Sequence, residues 1–252
     1  MNSSRLTLVF DDTGKMADFV VAKWRDISSG AIRLRGFFAV ALSGGKTPIE
    51  VYRRLAAEGG KGILWHKTHV FFADERFVPY TEADSNYRMI RKTLLDGAGV
   101  PPGNIHPIPT DLPDPISAAE RYESDIALFF GLPGDGMPEF DLVMLGIGTD
   151  GHTASLFPAS QALDEKKRIA SAVILGKNIH DRITLTLPVI NNAGNVIFLV
   201  TGQEKAGVLR DVLDGSDPSL PASLVAPEKG SLLYLADADA GSLLGKKGEK
   251  GG

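Results

Sequence analysis

The sequence predicts an α/β protein with a largely parallel sheet covered by helices on both faces. Three observations support this: six short apolar runs are separated by amphipathic stretches, several of those runs lack polar alternation, and 43% of the 252 residues are hydrophobic. A strand with one wet face alternates apolar and polar residues, whereas a strand buried between helix layers is apolar throughout. The length and apolar content suit one large domain with a substantial core. That domain is read as residues 1–244, with the wholly polar "GKKGEKGG" at 245–252 as a disordered tail. No period of roughly 20 to 50 residues recurs, so a solenoid is excluded.

The strands are placed at "LTLVF" from Leu6, "FFAVAL" from Phe37, "HVFFA" from His69, "FDLVMLGIG" from Phe140, "NVIFLVTG" from Asn195 and "SLLYLA" from Ser231. "RITLTLPVI", from Arg182, differs: Ile183, Leu185 and Leu187 alternate with Thr184 and Thr186, the pattern of a strand with one wet face. Between the runs lie helices. In "TPIEVYRRLAAEGG", Thr47 caps, Pro48 takes the first helical position and Glu50 completes a capping box; Val51 and Leu55 mark the apolar face, and Gly59 and Gly60 end it. In "DSNYRMIRKTLLDGAG", Asp84 or Ser85 caps and Met89, Ile90, Leu94 and Leu95 face inward. A third helix starts at "DPISAAERYESDIALFFG".

A net charge of -4, with no basic block interleaved with aromatics, gives no field for nucleic acid. The chain has no cysteine, which removes disulfides, thiolate catalysis and cysteine zinc sites, and suits a reducing cytoplasm. "MNSSRLTLVFDD" lacks the length and order of a signal peptide. No segment approaches the roughly 20 apolar residues of a membrane span. The expected partner is therefore a small molecule met in water, without membrane or nucleic acid. Of the five histidines, His66 and His69 alone stand close enough in sequence to suggest a shared metal, and no nearby carboxylate completes a ligand set, so none is assigned.

Two glycine-rich stretches invite chemistry. Ser43, Gly44, Gly45 and Lys46 lie between a strand and a capped helix, where free amides and the helix dipole welcome an anion; otherwise this is a tight turn of small residues. A Walker A loop would need glycine where the chain has Val40. In "LGIGTDGHTASLFP", Gly146, Gly148 and Gly151 match the dinucleotide spacing, but Pro158 interrupts the required helix, and Asp164 and Glu165 come too early to bind a ribose. The glycines instead let the chain turn and bring Asp150 and His152 to the strand's carboxyl end. There His152 either bonds the backbone or serves as a general base, with Asp150 orienting it. Asp74, Glu75 and Arg76 end another strand and, taken alone, read as a solvated charged turn; Arg182 and Lys205 are unremarkable by themselves.

Taken together, "SGGKTP", "ADERFVP" with "DSNY", "LGIGTDGHTASLFP", "RITLTLPVIN" and "TGQEKA" resemble the 6-phosphogluconolactonases in order and spacing, from about Phe37 to Leu235. The resemblance implies a modified Rossmann-type α/β fold shared with glucosamine-6-phosphate deaminases and ribose-5-phosphate isomerases. It also implies hydrolysis of 6-phospho-D-glucono-1,5-lactone in the pentose phosphate pathway, without metal or organic cofactor, by a monomer or homodimer. On that reading His152 activates water with support from Asp150, and Arg76 or amides of the Gly44 and Gly151 loops stabilise the oxyanion. Ser43, Gly44, Gly45, Lys46, Asp74, Gly151, Arg182 and Lys205 bind substrate. The deaminases carry a glutamate where this chain has Phe157, so an amino-sugar-phosphate isomerase or deaminase is the alternative reading, and a non-catalytic sugar-phosphate-binding regulator is another.

Overall fold

The computed structural model describes residues 4–58, 62–176, 179–215 and 217–245; the expected tail beyond Gly245 and the helix end at Gly59 and Gly60 lie outside them. Its strands are β1 (Ser4–Phe10), β2 (Phe38–Leu42), β3 (Thr68–Phe72), β4 (Asp74–Arg76), β5 (Ile105–His106), β6 (Leu142–Leu145), β7 (Ala170–Val173), β8 (Arg182–Leu185), β9 (Asn195–Val200) and β10 (Ser231–Asp237). The helices are α1 (Thr13–Arg35), α2 (Ile49–Ala57), α3 (Asn86–Ile90), α4 (Asp96–Ala98), α5 (Pro115–Phe130), α6 (Leu187–Asn191) and α7 (Ala206–Asp214). Seven strands form one parallel sheet in the order β1-β10-β9-β6-β2-β3-β5, and β4, β8 and β7 form a small antiparallel sheet beside it.

Every residue of β2 and of β6 is buried, so both faces of the sheet are covered at its centre. The expected strands all form. α1 is an element the sequence reading did not pick out, because its buried stripe is thin and partly made of small residues: Met16, Ala17, Val20, Val21, Trp24, Ser28 and Ala31. Asp12 caps it through Lys15 N, and Trp24 packs edge-on against Phe38 at 5.2 Å. α5 begins as expected, with Asp114 accepting from the amides of Ile116 and Ser117. Of the two caps proposed for α3, Ser85 takes the role by accepting from Arg88 N at 3.1 Å. Ile90, Leu94 and Leu95 are buried, while Met89 is half-buried; a π-helical turn, Arg91–Leu95, follows α3.

Three expectations are corrected. α2 starts at Ile49 with Pro48 in the cap position and no side-chain cap; Thr47 Oγ1 pairs with Thr201 Oγ1 at 2.9 Å, and Glu50 accepts from Arg54. The strand at Arg182 stops at Leu185, and its threonines are not wet: Thr184 and Thr186 are both fully buried. Their hydroxyls are satisfied internally, because Thr184 Oγ1 donates to Leu185 O and accepts from Ser155 N, while Thr186 Oγ1 donates to Arg168 O. The histidine beside His69 is His106 on β5 rather than His66, with Nδ1 and Nε2 at 3.1 Å, and the His106 ring stacks on Phe71 at 4.1 Å. Two imidazoles joined end to end share one proton and leave no common lone-pair focus for a metal. Among the described residues no group of three or more metal-ligating side chains converges.

Two predictions follow from these buried polar contacts. Thr184→Val leaves the Ser155 amide without its acceptor in a buried site, and should lower stability by roughly 1–3 kcal/mol, read as a reduced urea midpoint. Burial, with repulsion from His69 added, pushes the His106 imidazole down to about 4 from its ordinary value near 6.5. A base that protonates more readily when unfolded stabilises the fold above the unfolded pKa. Stability should therefore decline as pH falls from about 6.5 towards 4, and His106→Phe should flatten that decline in thermal melts; an unchanged slope would remove His106 from the acid response.

Candidate active site

From β2 the chain runs outward to β3 and β5, then returns to the other side of β2 to form β6 and continues to β9. Loops leaving β2 and β6 therefore diverge, and such a switch point opens a crevice at the carboxyl ends of the strands. A cleft of about 650 Å³ occupies it. Ser43, Gly44, Gly45 and Lys46 line it from the loop after β2, Asp74 and Arg76 from β4, Gly148 and His152 from the loop after β6, and Thr201 and Lys205 from the segment after β9.

The imidazole is held by a tight turn. Gly148 N donates to His152 O at 2.8 Å and Gly151 N to Gly148 O at 3.0 Å. Within that turn His152 Nδ1 lies 2.6 Å from Asp150 Oδ1, which also accepts from the His152 amide at 3.2 Å. Burial alone would raise the Asp150 carboxyl, but the His152 amide and imidazole hold it below its ordinary value. A carboxylate only accepts, so Nδ1 carries a proton, and in the neutral imidazole the free lone pair is the one on Nε2. The Phe157 ring packs on the imidazole at 4.7 Å. Gly148 is required: a Cβ there would meet His152 Nδ1 at 2.1 Å and Asp150 Oδ1 at 2.5 Å.

Amides on the β2 side are open. Among the described residues, the N–H groups of Gly44, Gly45, Lys46 and Thr47 have no hydrogen-bond partner, and the buried Ser43 hydroxyl has none either. Unpaired donors at a cleft wall suit an anion. Lys46 and Lys205 add positive charge there, with no ion-pair partner among the described residues. On the β6 side the amides of Gly148 and Gly151 are consumed within the turn, by His152 O and Gly148 O, so neither is free to meet an oxyanion.

Three expected site residues do not line the cleft. Asp150 acts from beside His152, Gly151 is packed under Leu220, and Arg182 is the register partner of Arg76 with its guanidinium turned to the carbonyls of His180 and Asp181. Burial, then the like charge of Arg76, lowers the Arg182 pKa from its ordinary value. Glu75 is not part of a solvated turn either. It is buried, and its carboxylate accepts from the amides of Arg76, Asn86 and Tyr87, each at 2.7 Å, thereby closing the start of α3. Burial raises its pKa, against the pull of those three amides.

Sequence reasoning assigned no role to Asn86 or Ser155. Asn86 donates to the Asp74 carbonyl at 3.0 Å and sits where a Gly44 Cβ would clash at 1.8 Å; Ser155 Oγ donates to Asp74 Oδ2 at 2.7 Å. Both lie inside the quoted motifs, but their partners are 12 and 81 residues away, so only the fold reveals the roles. Gly148→Ala should lower kcat by about 100-fold or more by displacing the imidazole, in line with the contribution of a positioned general base. Its melting temperature should stay near the parent's; unchanged turnover would mean that the turn tolerates a Cβ and does not fix the ring.

The sequence profile described as Glucosamine-6-phosphate isomerases/6-phosphogluconolactonase matches residues 11–234. The 6-phosphogluconolactonase of Synechocystis sp. is 43% identical over 216 residues, covering 85% of this chain and 88% of the relative. The human 6-phosphogluconolactonase is 40% identical over 215 residues, covering 83% and 82%. Among solved structures, 6-phosphogluconolactonase from Trypanosoma brucei superposes with a TM-score of 0.85 at 30% identity, covering 97% of this chain and all of that one. The chain belongs to the glucosamine-6-phosphate isomerase/6-phosphogluconolactonase family.

Proposed function

We propose that the chain hydrolyses the ring ester of 6-phospho-D-glucono-1,5-lactone to 6-phospho-D-gluconate, with His152 as the base and water as the only co-reactant. The observation that carries the reading is a single cleft holding both the Asp150-oriented imidazole and the open amides of Gly44–Thr47 beside Lys46 and Lys205. The second set suits a phosphate dianion. The first suits proton removal from water.

In this mechanism Nε2 of His152 takes a proton as water attacks the lactone carbonyl, and Asp150 stabilises the imidazolium that results. Arg76, which lines the cleft apart from the phosphate-binding amides, meets the developing oxyanion. The tetrahedral adduct then expels the ring oxygen, which recovers the proton from His152, and the new carboxylic acid ionises. Ser43 and Asp74 bind the sugar, while Arg182, behind Arg76, reinforces the local positive potential without touching substrate. Phe157 offers no proton, which separates this cleft from the acid–base set expected of an amino-sugar isomerase. No helix among the described residues is long and apolar enough to cross a membrane. Residues 1–244 are proposed to act as one lactonase unit, in either a monomer or a homodimer, in the reducing cytoplasm that a chain without cysteine suits.

His152→Asn should lower kcat on fresh lactone by about 10²- to 10⁴-fold after subtraction of spontaneous hydrolysis, with affinity for 6-phosphogluconate nearly unchanged. Turnover within a few-fold of the parent would eliminate His152 as the base. Asp150→Asn keeps an acceptor for Nδ1 but removes its charge. It should lower kcat by removing the charge that supports the imidazolium as it forms, with affinity for 6-phosphogluconate nearly unchanged; an unaltered kcat would remove Asp150 from the mechanism.

A further inference from the structure

Asp74 occupies an unusual position in the cleft wall. It is almost fully buried yet has no basic side chain bonded to it; its carboxylate is instead held by two neutral side chains. Asn86 Nδ2 reaches Oδ1 at 3.3 Å and the Asp74 carbonyl at 3.0 Å, while the Ser155 hydroxyl donates to Oδ2 at 2.7 Å. Ser155 is itself fixed. It is buried, its amide donates to Thr184 Oγ1 at 3.2 Å, and Thr184 is the register partner of Asp74 across β4 and β8. Between His152 and Ser155 the chain makes a local bridge at Thr153 and Leu156, and Ala154 adopts a left-handed φ of 48°. A non-glycine residue there is strained, and persists only where surrounding contacts impose it.

We infer that Ser155 is a positioning residue for substrate recognition: its hydroxyl fixes the Asp74 carboxylate so that the remaining lone pairs, facing the cleft, accept from a hydroxyl of the sugar lactone. The inference rests on the lactonase reading and goes beyond it by assigning a residue outside the cleft lining. An ionised carboxylate can only accept, so it selects a ligand that presents a donor and disfavours one that lacks it. Ser155 also belongs to the loop that carries His152. The hydrogen bond therefore ties the sugar-reading group on β4 to the base-bearing loop after β6, setting the distance between the carboxylate that holds the hydroxyl and the imidazole. Neutral donors suit this task, because a cation on Asp74 would compete with the substrate hydroxyl for its lone pairs.

The test is a double-mutant cycle with Ser155→Ala and Asp74→Ala, singly and together, using freshly generated 6-phosphogluconolactone. Ser155→Ala removes one hydroxyl and leaves the Ser155 amide bond to Thr184 in place. It should raise KM about tenfold, the scale of one hydrogen bond to a charged group, while kcat stays within a few-fold. The pH dependence of kcat, which reports His152, should not move. In the Asp74→Ala background the same serine substitution should have little further effect, since a residue acting only through that carboxylate loses its influence when the group is gone. Affinity for 6-phosphogluconate, measured by calorimetry on all four proteins, provides the same cycle without turnover. Equal serine penalties in both backgrounds, or a shifted pH profile, would overturn the inference in favour of a general loop defect. Failure of the wild-type protein to exceed the spontaneous rate would instead count against the lactonase reading, and the calorimetric cycle would still decide whether Ser155 works through Asp74.

Discussion

In a sheet whose strands all run in one direction, every strand leaves by the same edge, and that constraint places all the chemistry of this protein. The seven parallel strands carry their apolar residues into a core covered on both faces, so polar groups are expelled to the loops at the strand ends. After β1, β2 and β9 those loops lead into a helix. Between β2 and β6 they diverge, because the chain reverses its direction of travel across the sheet there. The result is a gap in which backbone amides are left without partners on one side and a histidine turn stands on the other.

A gap lined by loops needs fixing if its groups are to hold their positions, and three buried carboxylates do much of this. Asp141, at the start of β6, accepts from Ala39 N and is paired with Arg35, joining β2 to β6 beneath the cleft. Glu75 closes the amide end of α3, and Asp74 links that helix start to the loop bearing His152 through Asn86 and Ser155. Each carboxylate accepts from at least one backbone or neutral side-chain donor, which satisfies it without demanding a neighbouring cation in every case. Arg76 is thereby left partly free: its guanidinium binds only the carbonyl of Asp84 among the described residues and still lines the cleft.

The strands and the cleft's main loops were legible in the sequence because they depend on local signals. An unbroken apolar run such as Phe38–Leu42, too short for a helix and followed by Ser43, Gly44 and Gly45, marks a buried strand and the turn that ends it. Contacts between distant segments were not legible. Thr184 and Thr186 have the alternation of a wet strand, and only the packing of the 153–156 and 168–170 segments over them turns that face into an interior. Thr47 has the sequence of a helix cap, but the neighbouring Thr201 offers its hydroxyl a partner across the sheet. Glu75 and Asp74 are adjacent in a sequence that suggests solvation, and both point inward because amides and hydroxyls from α3 and the His152 loop meet them. His69 and His106 are paired by the β3–β5 register, 37 residues apart.

The site has one anchor for charge and one place for chemistry, and that separation explains why such a small set of groups is sufficient. The substrate's dianion and its reacting carbonyl lie at opposite ends of a sugar, so contacts with the phosphate are the same before and during attack. Uniform binding of that kind lowers KM, and it aids the chemical step only if it also fixes the carbonyl relative to the base. Fixing requires rigid connections between the anchor loop and the base loop. Gly44 packed against Asn86, Asn86 on Asp74, and Ser155 on Asp74 make that connection side chain by side chain. The Gly148 turn completes it by leaving room for the imidazole and no room for any other residue. On the proposed mechanism the only co-reactant is water, so the protein's contribution reduces to geometry: the His152 imidazole held at a set distance from the open amides after β2.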